Sequence, residues 1–104
     1  MIIFSINVHE KIDFLIKQLR NINYYVSLNY IVLINANNAM YNKLKKCDYI
    51  ISQTNIVLNP YYFNKSRNHG SLTKGIYSNM KYAINNYRFK YLLYYLVGIC
   101  FIIN

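Results

Sequence analysis

Short apolar runs alternate along this chain with segments whose apolar residues recur at helical spacing. The runs Ile2–Val8, Tyr30–Ile34 and Phe89–Tyr95 have the length of strands, and the first is rich in β-branched residues. Strands that alternate with helices favour a parallel sheet joined by right-handed crossovers. The sequence therefore predicts an α/β fold of three layers around a central, mostly parallel sheet.

Three helices are predicted between these strands. The first begins at His9 and Glu10, and the second extends to about Lys46 with Asn37 or Asn38 as its cap. The third follows a basic, aromatic loop over 61–70. Their predicted inward-facing residues are Ile12, Leu15, Ile16, Leu19 and Ile22; Met40, Tyr41 and Leu44; and Leu72, Ile76, Met80, Ala83, Ile84 and Tyr87.

The segments on either side of the second helix have no clear apolar periodicity. Asn35–Asn38 is predicted to form a polar turn, and at least one of the short apolar runs 48–51 and 55–58 to form a strand. Asn59-Pro60 marks a stop after the second run.

The chain of 104 residues favours one domain, and a hydrophobic content of 55% excludes a disordered chain. Twelve Lys and Arg against three Asp and Glu give a net charge of +9. Two explanations remain open: an acidic partner, or A/T-rich codon usage that favours Asn, Ile, Lys and Tyr.

Polar residues follow two of the predicted strands, at the edge where open α/β sheets bind ligands. His9 and Asn35 are candidate contacts to a nucleotide or sugar. The alternatives are an ordinary residue at a helix N-terminus for His9 and turn chemistry for Asn35.

The loop before the third helix supplies further candidates. Lys65, Arg67 and His69, with the turn formed by His69, Gly70 and Ser71, form a candidate diphosphate clamp. A solvated loop with Ser71 as a helix cap is the alternative. No P-loop is present, because Ile76 and Tyr77 follow Gly75 where Lys and Ser or Thr are required.

Catalytic and metal-binding patterns are missing from the sequence. Three acidic residues are too few for most hydrolytic or metal mechanisms, so no catalytic residue, metal or cofactor is expected. Cys47 and Cys100 fit no metal spacing and are predicted to be thiols in a reducing compartment. No secretory signal is evident and the terminal apolar run is short for a membrane span, which favours a cytoplasmic protein.

The order and spacing of these segments resemble the N-terminal half of core-2/I-branching-type glycosyltransferases, including divergent relatives in A/T-rich large DNA viruses. His69-Gly70-Ser71 stands where that family has a Trp-Gly-Gly-like turn, Gly75–Tyr87 where it has a long helix, and Phe89–Leu93 where it has a strand. The resemblance covers about residues 2–94. It implies the Rossmann-like half of a GT-A-type domain, which would bind a UDP-type nucleotide-sugar.

The family continues beyond this strand into its catalytic half, whereas this sequence ends in the apolar run 95–104. One back-translation of 94–104, taken in another frame, gives Leu-Ser-Ser-Arg, which resembles the motif that ends the strand in the family. We therefore predict a half-domain over 1–94 and a tail over 95–104 that is either a genuine strand or out of frame. A truncated sheet would expose an unpaired edge and favour self-association.

Two main functional hypotheses follow, beside a third and weaker one, a membrane-associated protein held by its terminal apolar run. The first is a glycosyltransferase-like, nucleotide-sugar-binding fragment that is inactive by itself. The second is a small basic module that binds single-stranded nucleic acid through tyrosines lying among Lys and Arg, or a structural or interaction protein. The tyrosines considered are Tyr24, Tyr25, Tyr61 and Tyr62.

Overall fold

The computed structural model describes residues 1–8, 11–27, 29–61, 69–96 and 99–103, with side chains in all of these except 69–73, 95–96 and 99–103. The elements in chain order are β1 (Ile2–Val8), α1 (Ile12–Tyr25), β2 (Tyr30–Ala36), α2 (Asn38–Lys45), α3 (Asp48–Ser52), β3 (Ile56–Leu58), α4 (His69–Asn86), β4 (Tyr91–Leu96) and β5 (Ile99–Ile103).

The five strands of the described chain form one sheet in the order β3-β2-β1-β4-β5. The central strand β1 pairs in parallel with β2 along its whole length and with β4 over residues 2–6. β3 pairs in parallel with β2, whereas β5 runs antiparallel to β4. The predicted α/β fold with a mostly parallel central sheet is confirmed.

Helices cover both faces of this sheet and make it the middle of three layers. Phe4, Ile6 and Val8 of β1 point to the face covered by α1, α2 and α3, whereas Ile3 and Ser5 point to the face covered by α4. The larger core cluster also contains these buried residues: Leu15, Leu19, Ile22, Val32, Ile34, Ala36, Met40, Leu44 and Ile50. The inward stripe predicted for the first helix is therefore confirmed.

The strand order reverses direction at β1. The chain moves outward from β1 to β2 and β3, and then returns through α4 to place β4 on the other side of β1. Because parallel crossovers are right-handed, this reversal puts α4 on the face opposite α1–α3. The carboxyl ends of β1 and β4 thus form the kind of switch point at which open α/β sheets bind ligands.

Small and polar residues, rather than large apolar ones, bring α4 onto the sheet. Gly75, Asn79 and Ala83 recur every fourth residue and are all buried. A Cβ atom on Gly75 would lie only 2.8 Å from Cγ of Asn7, so this glycine permits a close approach of helix and strand. Ala83 joins a second core cluster with Ile3, Leu33 and Leu92.

The apolar stripe predicted for this helix is accordingly wrong in part. Ile84 is 65% exposed, and Ile76 and Met80 are only half-buried. The helix faces the sheet one position away from the predicted stripe, because the sheet beneath it presents polar groups that Asn79 can satisfy. Leu72 is outside the residues with described side chains.

The Asn79 side chain joins α4 to β1, β2 and the segment after β3. Its amide nitrogen donates to Ser5 Oγ at 2.8 Å and to the Leu33 carbonyl at 3.2 Å. Its amide oxygen accepts a hydrogen bond from Asn59 Nδ2 at 2.9 Å. Asn59 and Asn79 are fully buried, so these bonds form where water cannot replace them.

Several element boundaries differ from the predicted ones. α1 begins at Ile12, after Lys11 in a left-handed conformation, and not at His9 and Glu10, which lie outside the described residues. Asn35 belongs to β2 rather than to a turn, because its parallel pairing with Asn7 extends the strand. Asn37 caps α2 by accepting a hydrogen bond from the Met40 amide at 2.9 Å, which resolves the choice between two caps.

The expectation of at least one strand within 48–58 is confirmed, whereas residues 69–71 take a different form from the predicted one. The run 48–51 lies in the short helix α3, and 56–58 is the strand that was expected in this region. Residues 69–71, predicted as a turn, form the first turn of α4. Within the tail, 99–103 pairs antiparallel with β4, since two intervening residues are too few for a parallel crossover.

We predict that Gly75→Ala destabilises the protein, although alanine in a helix is ordinarily about 1 kcal/mol better than glycine. The new methyl group must displace the Asn7 side chain, and such overpacking costs about 1–3 kcal/mol in the free energy of unfolding. In an Asn7→Ala background the same change should instead stabilise by up to about 1 kcal/mol. Urea unfolding of the four proteins in this double-mutant cycle measures the difference, and equal effects in both backgrounds would contradict the close contact.

We predict that Asn79→Ala lowers the free energy of unfolding by about 2–3 kcal/mol, because it leaves buried polar groups of β1 and β2 without their partner. Asn85→Ala, on the exposed side of the same helix, is the matched control and should change it by less than about 0.5 kcal/mol. Chemical denaturation of both variants checks this, and similar losses in both would show that the buried position of Asn79 is unimportant.

Candidate functional site

The ends of β1, β2 and β3 and the first turns of α4 meet at the carboxyl edge of the sheet. Asn7 and Asn35 are paired positions near the ends of β1 and β2. Gly75 lies against Asn7, and α4 begins six residues earlier at His69, which places its N-terminus about 9 Å beyond that contact. This edge therefore combines the buried amide of Asn35 and the half-buried amide of Asn7 with the positive end of a helix dipole.

Two buried asparagines fix the backbone of Tyr61 at this edge. Asn59 Oδ1 accepts a hydrogen bond from the Tyr61 amide at 2.9 Å, and Asn35 Nδ2 donates to the Tyr61 carbonyl at 3.2 Å. Both asparagines are fully buried, whereas the Tyr61 side chain is 68% exposed. The exposed Tyr61 ring therefore extends from a backbone whose N–H and C=O groups are both hydrogen-bonded to buried side chains.

Asn59 also connects this segment to the neighbouring strand and to α4. Its backbone amide donates to the Ile34 carbonyl at 2.8 Å, which extends the pairing with β2 beyond β3. Its side-chain amide donates to Ser78 Oγ at 3.1 Å as well as to Asn79. The positions of Tyr61 and of the middle of α4 are therefore coupled through one side chain.

A cleft of about 600 Å³ lies beside α4, and we call it the α4 cleft. Its volume is within the range of about 300–1,000 Å³ that is usual for ligand sites. Tyr77 in its wall is 65% exposed, and Lys74 and Lys81 are exposed one above the other along the helix. The lining residues are Pro60, Tyr61, Lys74, Tyr77, Ser78, Lys81, Tyr82, Asn85 and Asn86.

Charge is distributed unevenly between the two faces of the sheet. The sequence after Asp48 contains six Lys and Arg residues and neither Asp nor Glu. In the part of the chain that the structure describes, the carboxylates Asp13 and Asp48 are exposed in α1 and α3, on the face opposite α4. Among the described residues, therefore, no carboxylate lies on the α4 face to neutralise the lysines of the α4 cleft.

Tyr82 lines the α4 cleft and lies next to Tyr87, with ring centroids 6.3 Å apart. Burial, and then the neighbouring Tyr82 phenol, raise the pKa of Tyr87 above its ordinary value. A tyrosine of ordinary pKa is already neutral at physiological pH, so this shift does not change the charge beside the lysines.

Lys11 lies in the connection between β1 and α1, three residues after Val8, with φ 63° and ψ 65°. This left-handed conformation costs a residue other than glycine about 1–2 kcal/mol. Such strain is concentrated at functional sites. Lys11 is also exposed, so this connection offers an ammonium group to solvent.

Only some of the residues that were predicted from the sequence to lie at this edge are among the described residues. Asn35 is fully buried and holds Tyr61, so it shapes the site from beneath. His9, Lys65 and Arg67 lie outside the described residues, as do the side chains of His69 and Ser71 beside Gly70. The backbone of 69–71 lies in the first turn of α4, where peptide N–H groups point toward the carboxyl edge.

Other contributing residues were not found from the sequence. Lys11, like His9, follows β1 in the sequence. The rule that selected His9, which takes polar residues after a predicted strand as candidate ligand contacts, could also have selected Lys11. Asn59 and Asn79 gave no signal, because an isolated asparagine in a loop or helix looks like a solvated residue until its neighbours are known.

The tyrosines considered for nucleic-acid binding do not all converge. Tyr24 and Tyr25 are at the end of α1 with ring centroids 4.8 Å apart, on the face opposite the α4 cleft. Tyr61 lines the cleft, and Tyr62 lies outside the described residues. Within the described ranges, no cluster of three His, Cys, Asp or Glu could hold a metal ion, and no helix is long and apolar enough to cross a bilayer.

Comparison with protein-family models, with curated proteins and with solved structures gave no match to this chain.

Proposed function

We propose that this chain is a glycosyltransferase-like domain that binds a nucleotide-sugar of the UDP type at the carboxyl edge of its sheet and has no transferase activity by itself. The observation that best supports the proposal is the reversal of strand order between β1 and β4. A doubly wound sheet opens a crevice at such a point, and nucleotides bind there in many α/β proteins.

The chemistry at this edge suits a diphosphate. Lys11 supplies a cation in the connection after β1, and the first turn of α4 supplies peptide N–H groups and the positive end of the helix dipole. Lys65 and Arg67 precede that turn in the sequence, and we propose that they act as two further cations for the diphosphate. Arg67 has a guanidinium that matches a phosphate in bidentate geometry.

Sugar transfer would require more than the described residues of this site provide. A base must deprotonate the acceptor hydroxyl while cationic or backbone donors stabilise the leaving diphosphate. Asp13 and Asp48, the carboxylates of the described chain, lie on the face opposite α4. The proposed role is therefore binding of the donor, without a catalytic residue.

We predict saturable binding of UDP-glucose by isothermal titration calorimetry, with affinity reduced about tenfold in both Lys11→Gln and Arg67→Ala. A hydrogen bond to a charged group contributes about 1.5–3 kcal/mol, and 1.4 kcal/mol corresponds to a factor of ten. Lys17→Gln, exposed in α1, and Arg88→Ala, exposed between α4 and β4 at the opposite edge of the sheet, are matched controls and should bind as the unmodified chain does. Failure of the unmodified chain to bind, or equal losses in the controls, would refute the proposal.

A further inference from the structure

We propose that the α4 cleft binds single-stranded nucleic acid. This function is separate from nucleotide-sugar binding, because it uses the side of α4 and not the end of β1. Such binding has three requirements: exposed aromatic rings, lysines along one side of the helix, and a local excess of positive charge.

The aromatic rings meet the first requirement, a surface on which unpaired bases can stack. Tyr61 and Tyr77 are 68% and 65% exposed at the cleft, although burying such a ring would ordinarily stabilise a fold. Tyr61 is held by Asn35 and Asn59 through both of its backbone polar groups. A ring on a fixed backbone loses little conformational freedom when a base stacks on it, which favours binding.

The lysines meet the second requirement. Lys74 and Lys81 are two helical turns apart on the same side of α4, so their backbones are separated by about 10 Å along the helix axis. Tyr77 and Ser78 lie between them on the cleft wall. A stripe of alternating cations and aromatic rings is the arrangement by which proteins bind single strands without base-specific contacts.

The charge distribution meets the third requirement. Among the described residues no carboxylate lines the cleft, and Lys74 and Lys81 are exposed rather than paired. A polyanion that enters the cleft therefore encounters cations without displacing a protein carboxylate. The side-chain amides of Asn85 and Asn86 extend the wall with donors and acceptors suited to sugar or base edges.

These features favour a single strand over a duplex and over a membrane. A duplex keeps its bases stacked inside, where Tyr61 and Tyr77 cannot reach them. An anionic membrane is bound by a helix with a broad apolar face, whereas the cleft side of α4 carries lysines, asparagines, a serine and two tyrosines, and none of these lining residues is aliphatic.

The test is fluorescence anisotropy with a labelled single-stranded oligouridylate, titrated over about 50–200 mM salt. The unmodified chain should bind with an affinity that falls steeply with salt. Lys81→Gln should reduce the slope of log K against log salt by about 0.7, the contribution of one phosphate contact in a single strand. Tyr77→Ala should weaken binding about fivefold or more with the slope unchanged, whereas Tyr77→Phe should retain binding.

Matched controls are available on the opposite face of the sheet. Lys17→Gln and Tyr24→Ala remove an exposed lysine and a tyrosine that is 81% exposed, and both should leave affinity and slope unchanged. A hairpin duplex of the same length and phosphatidylserine vesicles should bind more weakly than the oligouridylate.

Four results would overturn the proposal: no binding of the oligouridylate, the same change of slope in Lys17→Gln as in Lys81→Gln, no effect of Tyr77→Ala, or binding of the duplex or vesicles as tight as that of the single strand. The readout contains no nucleotide-sugar, and the variants differ from those that test the nucleotide-sugar site. Each function can therefore fail without the other.

Discussion

The hydrogen bonds of the buried Asn79 side chain determine how α4 lies on the sheet. A helix on a sheet is ordinarily held by large apolar residues, but here the contact residues are Gly75, Asn79 and Ala83. The close approach at Gly75 and Ala83 brings the Asn79 amide within reach of Ser5 and of the backbone of β2. In a buried environment these bonds are costly to leave unmade, so they select one position and one rotation of the helix.

The same network extends from the core to the surface. Asn79 binds Asn59, and Asn59 with Asn35 holds the backbone of Tyr61. The orientation of α4 and the position of the exposed tyrosine are thereby fixed together. Because Tyr77, Lys74 and Lys81 lie on this helix, the α4 cleft has a geometry set by buried amides rather than by contacts at its own surface. The carboxyl edge and the cleft are neighbouring surfaces that depend on one set of internal bonds.

Much of the fold could be predicted from apolar periodicity. An apolar run of strand length predicts β1, and apolar residues at helical spacing predict α2 and the buried face of α1. The run 48–51 could not be assigned, because Asp48 followed by three apolar residues fits a short helix as well as a strand. The inward face of α4 was predicted wrongly, since the pattern rule ranks Ile84 above Asn79 and the polar partners of Asn79 lie 46 and 74 residues away in sequence.

The candidate site was less accessible to prediction than the fold. Asn35 was nominated from its position after a strand, and the structure assigns it a supporting role beneath Tyr61. Lys11 was missed, although the same rule applies to it. The α4 cleft depends on the juxtaposition of Tyr61 with a helix that begins at His69, and this juxtaposition is a property of the tertiary structure.

Amide hydrogen exchange measured by NMR shows whether buried asparagines hold the exposed Tyr61 segment in place. The Tyr61 backbone amide, next to an exposed side chain, should exchange about as slowly as the amides of β1, and Asn59→Ala should accelerate it while leaving the β1 amides protected. Rapid exchange at Tyr61 in the unmodified chain, or no acceleration in the variant, would mean that these asparagines do not hold the segment.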